Sequence, residues 1–193
     1  MLPVRLLTST RKMDHIVIDI ETKNTFFDVG RDNFQALDTS MVCIYSYSQD
    51  KYFSFDEHQL QELGEFFKDD NLIIGFSINR FDIPVLNKHY PFDLFSLPRY
   101  DLLDEIELQL GRRISLNKLA KTNLGVQKTG HGLDAPILYR EGKIDELRDY
   151  CLNDVKITKE LYDLAKKQGY LWVPKRDSDE MEKAIFDVAQ TLF

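Results

Sequence analysis

The run HIVIDIE at residues 15–21 constrains the fold of this chain more than any other segment. Its β-branched residues favour an extended backbone, so the run predicts a buried strand. Side chains at positions i and i+2 of a strand point to the same face, so Asp19 and Glu21 project together from this strand. Two such carboxylates repel each other, and a divalent cation would remove that conflict. Taken alone, however, the pair is typical of a solvated strand end.

Further strands and a helix are predicted after this run. Residues 41–48 and 51–55 form two apolar runs separated by a tight turn at 49–50, which indicates an antiparallel pair. Apolar residues at helical spacing over 57–68 then precede a short buried strand at 71–76, NLIIGF. This order gives a strand, helix, strand unit.

The remainder of the chain has mostly helical patterns. Helices are predicted at 80–89, 101–110 and 115–123. A longer helix follows the 3.6-residue apolar period that begins at Ile144, and Gly169 stands where a C-terminal cap is expected. Strands first, with helices between and after them, predict an α/β or mixed α+β fold.

Composition and charge limit the possible partners. The 193 residues carry 25 Lys and Arg against 32 Asp and Glu, and the net charge of −7 disfavours a sequence-independent nucleic-acid coat or a polybasic membrane binder. Cys43 and Cys151 lack a metal-ligand spacing, and we expect reduced thiols in a cytoplasmic protein. No run of about 18 apolar residues exists that would span a membrane.

We expect one domain over residues 1–193, because no repeat or low-complexity linker divides the chain. Residues 1–12 are expected to be flexible. Residues 177–193 are predicted to form an amphipathic terminal helix. Its apolar face would either pack on the domain or bind a protein partner.

Two further acidic positions follow or lie on apolar elements. Asp82 comes after the predicted strand at 71–76, at the strand end where open α/β sheets place their sites, although it would also suit a helix N-cap. Tyr150 and Asp154 are four residues apart on the long helix and therefore share one face. In isolation, that pair would also suit a hydrogen bond on the helix surface.

Three segments resemble the motifs of the DEDD superfamily of 3′ to 5′ exonucleases, and they stand in the family's order. They are HIVIDIE with Asp19 and Glu21, GFSINRFDIPVL with Asp82, and YCLNDVKITKELY with Tyr150 and Asp154. The last two are most similar to the exonuclease domain of family B DNA polymerases. A Tyr four positions before the last aspartate, with no His five positions before it, indicates the tyrosine subtype. The resemblance implies a ribonuclease H-like fold with a central mixed β-sheet flanked by helices.

The same resemblance implies a two-metal exonuclease that releases 5′ mononucleotides from single-stranded or frayed 3′ ends. Oxygen ligands without His or Cys favour two Mg²⁺ or Mn²⁺ ions. By resemblance, Asp19 bridges both ions, and Glu21 and Asp154 complete the first site. Asp82 holds the second ion mostly through water, and Tyr150 orients the attacking water.

Substrate contacts are predicted from three features. Many relatives carry Asn five residues before the second-motif aspartate, where this chain has Ser77, with Asn79 three residues before that aspartate. Phe81 would either stack on a terminal base or pack in the core. The stretch 112–128 carries five cations and no acid, which suits a nucleic-acid backbone or a solvated helix face. The predicted substrate-binding residues are Ser77, Asn79, Phe81, Arg112, Arg113, Lys118, Lys121, Lys128 and His131.

The expected substrate is single-stranded nucleic acid, with DNA favoured over RNA. Two other functions stay open at this point, namely a non-catalytic nucleic-acid or partner-binding module of the same fold and an endonuclease of related fold. DNA repair and RNA turnover both remain open as pathways. Trp172 is expected to be a packing residue.

Overall fold

The computed structural model describes residues 13–67, 71–126, 134–176 and 180–187. Its strands are β1 (His15–Thr22), β2 (Thr39–Ser46), β3 (Lys51–Asp56), β4 (Leu72–Gly75), β5 (Arg99–Asp101), β6 (Tyr170–Pro174) and β7 (Met181–Ile185). Its α-helices are α1 (Phe26–Val29), α2 (Leu60–Leu63), α3 (Asp82–Leu86), α4 (Leu102–Leu110), α5 (Leu116–Leu124), α6 (Asp134–Arg140) and α7 (Ile144–Gln168). Short 3₁₀ segments cover Phe34–Ala36, Gly64–Phe66, Asn87–His89 and Leu94–Ser96.

Five strands form a mixed sheet in the order β3-β2-β1-β4-β5. β1, β2 and β3 are antiparallel neighbours, and the turn between β2 and β3 uses a positive φ of 47° at Asp50. β1, β4 and β5 are parallel to one another. Parallel strands present their carboxyl ends at the same edge of the sheet, so the residues that end these three strands lie near one another. The predicted mixed sheet flanked by helices is confirmed.

The two faces of β1 pack against different layers. The three isoleucines of β1 lie in an apolar cluster with side chains of α2 and α3. Val17, which has the opposite parity, packs in a second cluster with the buried side of α7. Because alternate side chains of a strand point to opposite faces, Asp19 and Glu21 lie on the α7 side of the sheet.

The long helix α7 crosses β1 and β2. Its buried residues recur at helical spacing from Leu147 to Ala165, and the left-handed conformation of Gly169 ends it. Both Tyr150 and Asp154 are among the buried residues, so their side chains point toward the sheet and not into solvent.

A glycine ends β4 because the chain turns back closely over β1 at this point. A Cβ on Gly75 would lie 2.1 Å from the Cγ2 of Ile78 and 3.2 Å from the carbonyl oxygen of Ile18, so no larger residue fits without movement. Ser77 next adopts a positive φ of 69°. This turn leads into α3, which begins at Asp82.

Several predicted elements are confirmed and others are corrected. The four strands predicted before residue 77 are present, as are the helices near 101–110 and 115–123 and the long helix. The helix expected at 57–68 is shorter, and the one expected at 80–89 begins at Asp82 and ends in a 3₁₀ segment. β5 and α6 were not predicted, because three and seven residues are too few to establish a period. No helix of the described residues is long and apolar enough to cross a membrane.

The predicted terminal helix is wrong where the structure describes it. Residues Met181–Ile185 form β7, which pairs antiparallel with β6. The spacing of Met181 and Ile185 fits one face of a helix, but residues four apart also share one face of a strand. Pairing with β6 decides between the two, since it provides backbone partners for β7. Residues 1–12, 177–179 and 188–193 lie outside the described residues.

Candidate metal centre and binding groove

Three carboxylates converge where β1 passes under α7. One oxygen each of Asp19, Glu21 and Asp154 can be chosen so that all three lie within 4.8 Å of one another. Glu21 is 8% exposed and Asp154 is 2% exposed, while Asp19 is half-buried. The pair on β1 is therefore not a solvated strand end, because a third acid from a distant part of the chain completes a cluster.

Asp82 lies next to this cluster and is bound to the backbone of β1. Its Oδ1 accepts a hydrogen bond of 3.1 Å from the N–H of Ile20, which lies between Asp19 and Glu21. Burial, together with the smaller effect of the negative charges of Asp101 and Asp154, raises the pKa of Asp82 to about 8. The Asp82 carboxylate thus binds the strand that carries Asp19 and Glu21. It does not cap α3, whose N-cap position is Phe81.

Tyr150 and Cys151 complete the part of α7 that faces β1. Tyr150 is buried one turn before Asp154, so the expected alternative of a pair on the helix surface is wrong. The Cys151 sulfur lies 3.4 Å from the Asp19 carbonyl oxygen. Burial raises the pKa of the Cys151 thiol well above its usual value, and a neighbouring Cys43 thiol adds to this shift. Cys151 therefore stays protonated and supports the strand without offering a thiolate ligand.

The donor set suits a hard divalent cation. Three carboxylates at this separation repel one another in a partly dry environment, and a bound cation removes that cost. All donors in the cluster are carboxylate oxygens, which Mg²⁺ and Mn²⁺ prefer. The residues present therefore fit a divalent metal, with Asp19, Glu21 and Asp154 as its direct ligands.

A groove of about 740 Å³ opens beside the acids. Its acidic part contains Asp19 and Asp82, and Arg80 and Arg113 supply its positive charge. Four phenylalanines form much of its apolar wall, namely Phe26, Phe34, Phe76 and Phe81. Such a combination of aromatic faces, cations and a metal-binding cluster suits a ligand with both flat rings and phosphates.

Phe26 and Phe34 were not found by the sequence analysis. The ring of Phe26 packs edge-on against Phe81 at 6.0 Å and against Phe34 at 5.2 Å. The predicted residue Phe81 thus lies in the groove wall and also packs on its neighbours. The adjacent pair of aromatics at 26–27, a few residues after Glu21, is the sequence signal that could have identified this wall.

The predicted substrate residues differ in where they lie. Ser77 lines the groove, and its hydroxyl accepts a hydrogen bond of 3.2 Å from Arg113. The Asn79 amide lines the groove too, but it donates to Asp104 and accepts from Arg99, both at 2.8 Å. These contacts give the Asn79 side chain a structural role.

The predicted basic stretch does not form one track along the groove. Arg112 forms an ion pair with Glu182 of β7, and of the described cations in 112–126 only Arg113 lines the groove. Lys118 and Lys121 are exposed on α5 and do not line it. Lys128 and His131 lie outside the described residues.

Asp101 is a buried acid whose importance the sequence analysis missed. It is 3% exposed and accepts hydrogen bonds from the N–H groups of Ser77 at 2.8 Å and Asn79 at 3.0 Å. It also caps α4 through the N–H groups of Leu103 and Asp104. Asp101 thereby fixes the turn that leads to Asp82. In the sequence, the position of this acid just before a predicted helix is the signal that could have identified it.

A family model described as the RNase H superfamily matches residues 16–166. The chain belongs to the RNase H superfamily. Compared by sequence with curated proteins, the chain matches none of them.

Solved structures share the fold of this RNase H superfamily member at low identity. A family B DNA polymerase from Pyrobaculum calidifontis is 19% identical with a TM-score of 0.60, covering 81% of this chain and 24% of the polymerase. E. coli exonuclease I in complex with a dT13 oligonucleotide is 14% identical with a TM-score of 0.55, covering 81% of this chain and 42% of that one. A product-bound exonuclease I is 15% identical with a TM-score of 0.55, covering 81% and 44% respectively. The chain spans less than half the length of each of these proteins.

Removal of one charge from the cluster should stabilise the metal-free protein. In EDTA, Asp154→Asn is expected to melt about 2–4 °C above the parent, because one like-charge repulsion disappears. Added Mn²⁺ should raise the melting temperature of the parent far more than that of the variant. Asp145→Asn, which changes an exposed acid on the same helix, is the control and should respond to Mn²⁺ like the parent. Equal responses of Asp154→Asn and the parent would contradict this metal site.

Loss of the Asp101 charge should weaken metal binding at a distance. Asp101→Asn is expected to lower Mn²⁺ affinity about tenfold in calorimetric titration, since the turn before Asp82 loses its anchor. Asp93→Asn is a matched control, because Asp93 caps a 3₁₀ segment through the N–H of Phe95 and does not contact the site. A lower melting temperature with unchanged Mn²⁺ affinity would assign Asp101 to the fold alone.

Proposed function

We propose that this protein is a metal-dependent 3′ to 5′ exonuclease of the tyrosine subtype, acting on single-stranded or frayed nucleic acid. The observation that carries the proposal is the convergence of Asp19, Glu21 and Asp154, with Asp82 hydrogen-bonded to the same strand, beside an aromatic and cationic groove. The order and spacing of these residues match the DEDD motifs. Each lies on the element that the resemblance implies.

The four acids divide into two roles. Asp19, Glu21 and Asp154 would hold one Mg²⁺ or Mn²⁺ directly, and Asp19 would share its carboxylate with a second ion. Asp82 stands outside the three-acid cluster, which agrees with a contact to the second ion through water. When bound, the two metals supply the nucleophile at neutral pH and neutralise charge on the phosphate and the leaving oxygen.

The remaining residues position the substrate and the water. The Tyr150 hydroxyl, one helical turn before Asp154, would orient the attacking water, since a phenol is a poor base near neutral pH. Arg113 at the groove would pair with a backbone phosphate, and Ser77, which accepts its hydrogen bond, would hold its guanidinium in place. The phenylalanine rings of the groove would stack on terminal bases of any sequence, because every base has a flat aromatic face. The products would be 5′ mononucleotides.

DNA is favoured over RNA as the substrate. Support comes from the fold neighbours, one of which is a DNA polymerase and another an exonuclease seen with a dT13 oligonucleotide. A third solved structure of the same fold, described as an ExoI/SSB-Ct complex, supports a protein partner for this chain as well. Contacts to the 2′-hydroxyl would decide the sugar preference.

A non-catalytic binding module is the second candidate function. Its support is the groove itself, which would bind a strand without cleaving it. Against it stands the complete set of acids, because a binding site for a polyanion gains nothing from three clustered carboxylates. An endonuclease of related fold would share these acids, and only its products distinguish it.

Degradation of a 5′-labelled strand tests the reaction directly. With Mg²⁺ or Mn²⁺, the parent should shorten single-stranded DNA from its 3′ end, leave circular strands intact, and show no activity in EDTA. Asp19→Ala and Asp154→Asn should each lower turnover at least about a thousandfold, the scale of lost charge stabilisation at a metal site. Asp145→Asn should be as active as the parent. Intact strands that are nevertheless bound would establish the binding module instead, and cut circles would establish an endonuclease.

Tyr150→Phe separates positioning of water from metal binding. The loss of one hydroxyl should lower turnover about 10- to 100-fold, less than the loss of any metal ligand. Mn²⁺ affinity should stay within about twofold of the parent, because the phenol is not a ligand. A loss equal to that of Asp154→Asn would show that Tyr150 has a larger part in the reaction.

A further inference from the structure

The antiparallel pair β6 and β7 presents an aromatic face to solvent. Alternation along both strands turns Leu171, Val173 and Ala184 inward, where they join the apolar cluster under α7. The opposite side, which we call the hairpin face, carries Tyr170, Trp172, Met181, Lys183 and Ile185. Trp172, expected to be a packing residue, is 37% exposed and therefore packs only in part.

The hairpin face has the components of a platform for nucleobases. Tyr170 and Trp172 lie edge to face with ring centroids 5.4 Å apart. The Lys183 ammonium lies 3.8 Å from the Tyr170 centroid and 5.0 Å from the Trp172 centroid. An exposed cation–π contact is weaker than the stacking of a base on an aromatic ring, so a base can displace this lysine. The displaced ammonium would remain beside the phosphate of the stacked nucleotide.

A short chain of contacts connects the β6–β7 hairpin to the groove. Arg113 in the groove contacts Ser77, and the next residue toward the N-terminus, Arg112, pairs with Glu182. Glu182 points inward from β7 directly before Lys183, which points outward. These contacts place the β6–β7 hairpin next to the loop that carries Arg113, with the hairpin face on the side of β7 opposite to Glu182.

The hairpin is held firmly against α4 and α5, the helices on either side of the loop that carries Arg113. The Asn123 side chain of α5 exchanges two hydrogen bonds of 2.8 Å with the backbone of Trp172. The Gln109 side chain at the end of α4 does the same with the backbone of Ile185, at 2.5 and 2.7 Å. Because these contacts use the backbone of the hairpin, the exposed rings are positioned without being covered.

Charge around the hairpin face favours a polyanion. Of the described acids on or beside the hairpin, Glu182 pairs with Arg112 and Glu180 with Lys175, and Asp187 is exposed after the end of β7. Lys183 faces aromatic rings, and the neighbouring stretch 112–126 contains four cations and no acid. This surface is thus locally positive in a protein of net charge −7.

We propose that the hairpin face binds the upstream part of a single-stranded nucleic acid whose 3′ end occupies the groove. Bases stack on Trp172 and Tyr170, and Lys183 pairs with the phosphate between them. This site rests on the proposed nuclease function but is separate from the metal centre. Exposed Met181 and Ile185 lie on the same face, so binding of a protein surface or of a second copy of the chain is an alternative outcome of the test.

Trp172 is the only tryptophan in the chain, so its fluorescence reports directly on this face. The parent is titrated with single-stranded DNA of about 20 nucleotides and of about three nucleotides, with Ca²⁺ in place of Mg²⁺ to suppress hydrolysis. The long strand should quench the fluorescence as it binds, whereas the short strand should bind in the groove without quenching. This measurement needs no substitution and is independent of whether a variant folds.

Two variants and a matched control give the second readout. Trp172→Ala and Lys183→Gln should each weaken binding of the long strand about tenfold, with a smaller salt dependence for Lys183→Gln. Phe92→Ala is the control, because Phe92 is 40% exposed and stacks on Tyr90 at 5.3 Å on another surface. It should bind both strands like the parent.

The outcomes separate this inference from the proposed function. Cleavage of DNA by the parent, with no quenching and equal affinity of Trp172→Ala for the long strand, would overturn the hairpin site alone. Absence of cleavage and of binding to any strand would overturn both proposals. Fluorescence that changes with protein concentration in the absence of DNA, together with a dimer lost in Trp172→Ala, would assign the face to self-association instead.

Discussion

Repulsion among clustered carboxylates is the constraint on which the rest of the structure depends. Asp19, Glu21 and Asp154 are held with oxygens within 4.8 Å, and in the absence of a cation each raises the energy of the others. The cluster therefore exists only because apolar packing elsewhere overcomes that cost. β1 has paired neighbours on both sides and a different apolar cluster on each face, so neither acid on this strand can move away.

The position of Asp82 is set by a second hydrogen-bond network, which begins at the end of β5. Asp101 accepts hydrogen bonds from the N–H groups of Ser77 and Asn79. Gly75 has no side chain, which allows the same turn to pass in contact with β1. The turn then delivers the Asp82 carboxylate to the N–H of Ile20. The two metal positions would thus be set by different parts of the fold, β1 with α7 for one and the β4 to α3 turn for the other.

The sequence was sufficient to predict the elements whose apolar pattern extends over many residues, and to predict the acids on those elements. HIVIDIE and the 25-residue α7 have patterns that only one backbone conformation satisfies, and Asp19, Glu21 and Asp154 follow from them. The prediction of a terminal helix failed because Met181 and Ile185 share a face in a helix and in a strand alike. Only pairing with β6 selects the strand. Asp101 and the ion pair between Arg112 and Glu182 were missed because they depend on long-range contacts. No local pattern encodes these contacts.

Local use of charge explains how an acidic protein could still bind a polyanion. Arg80 lines the groove but is paired with Asp104 and Glu107 on α4, so its charge is largely neutralised. Arg112 is likewise neutralised by Glu182, whereas within the described part of the chain Arg113 donates to the neutral hydroxyl of Ser77 and has no acidic partner. One available guanidinium beside a metal centre is enough to position a terminal phosphate but contributes little to the affinity for a long strand. Affinity for the rest of a strand would then come from stacking, which the phenylalanines of the groove and the exposed rings of the hairpin face could supply.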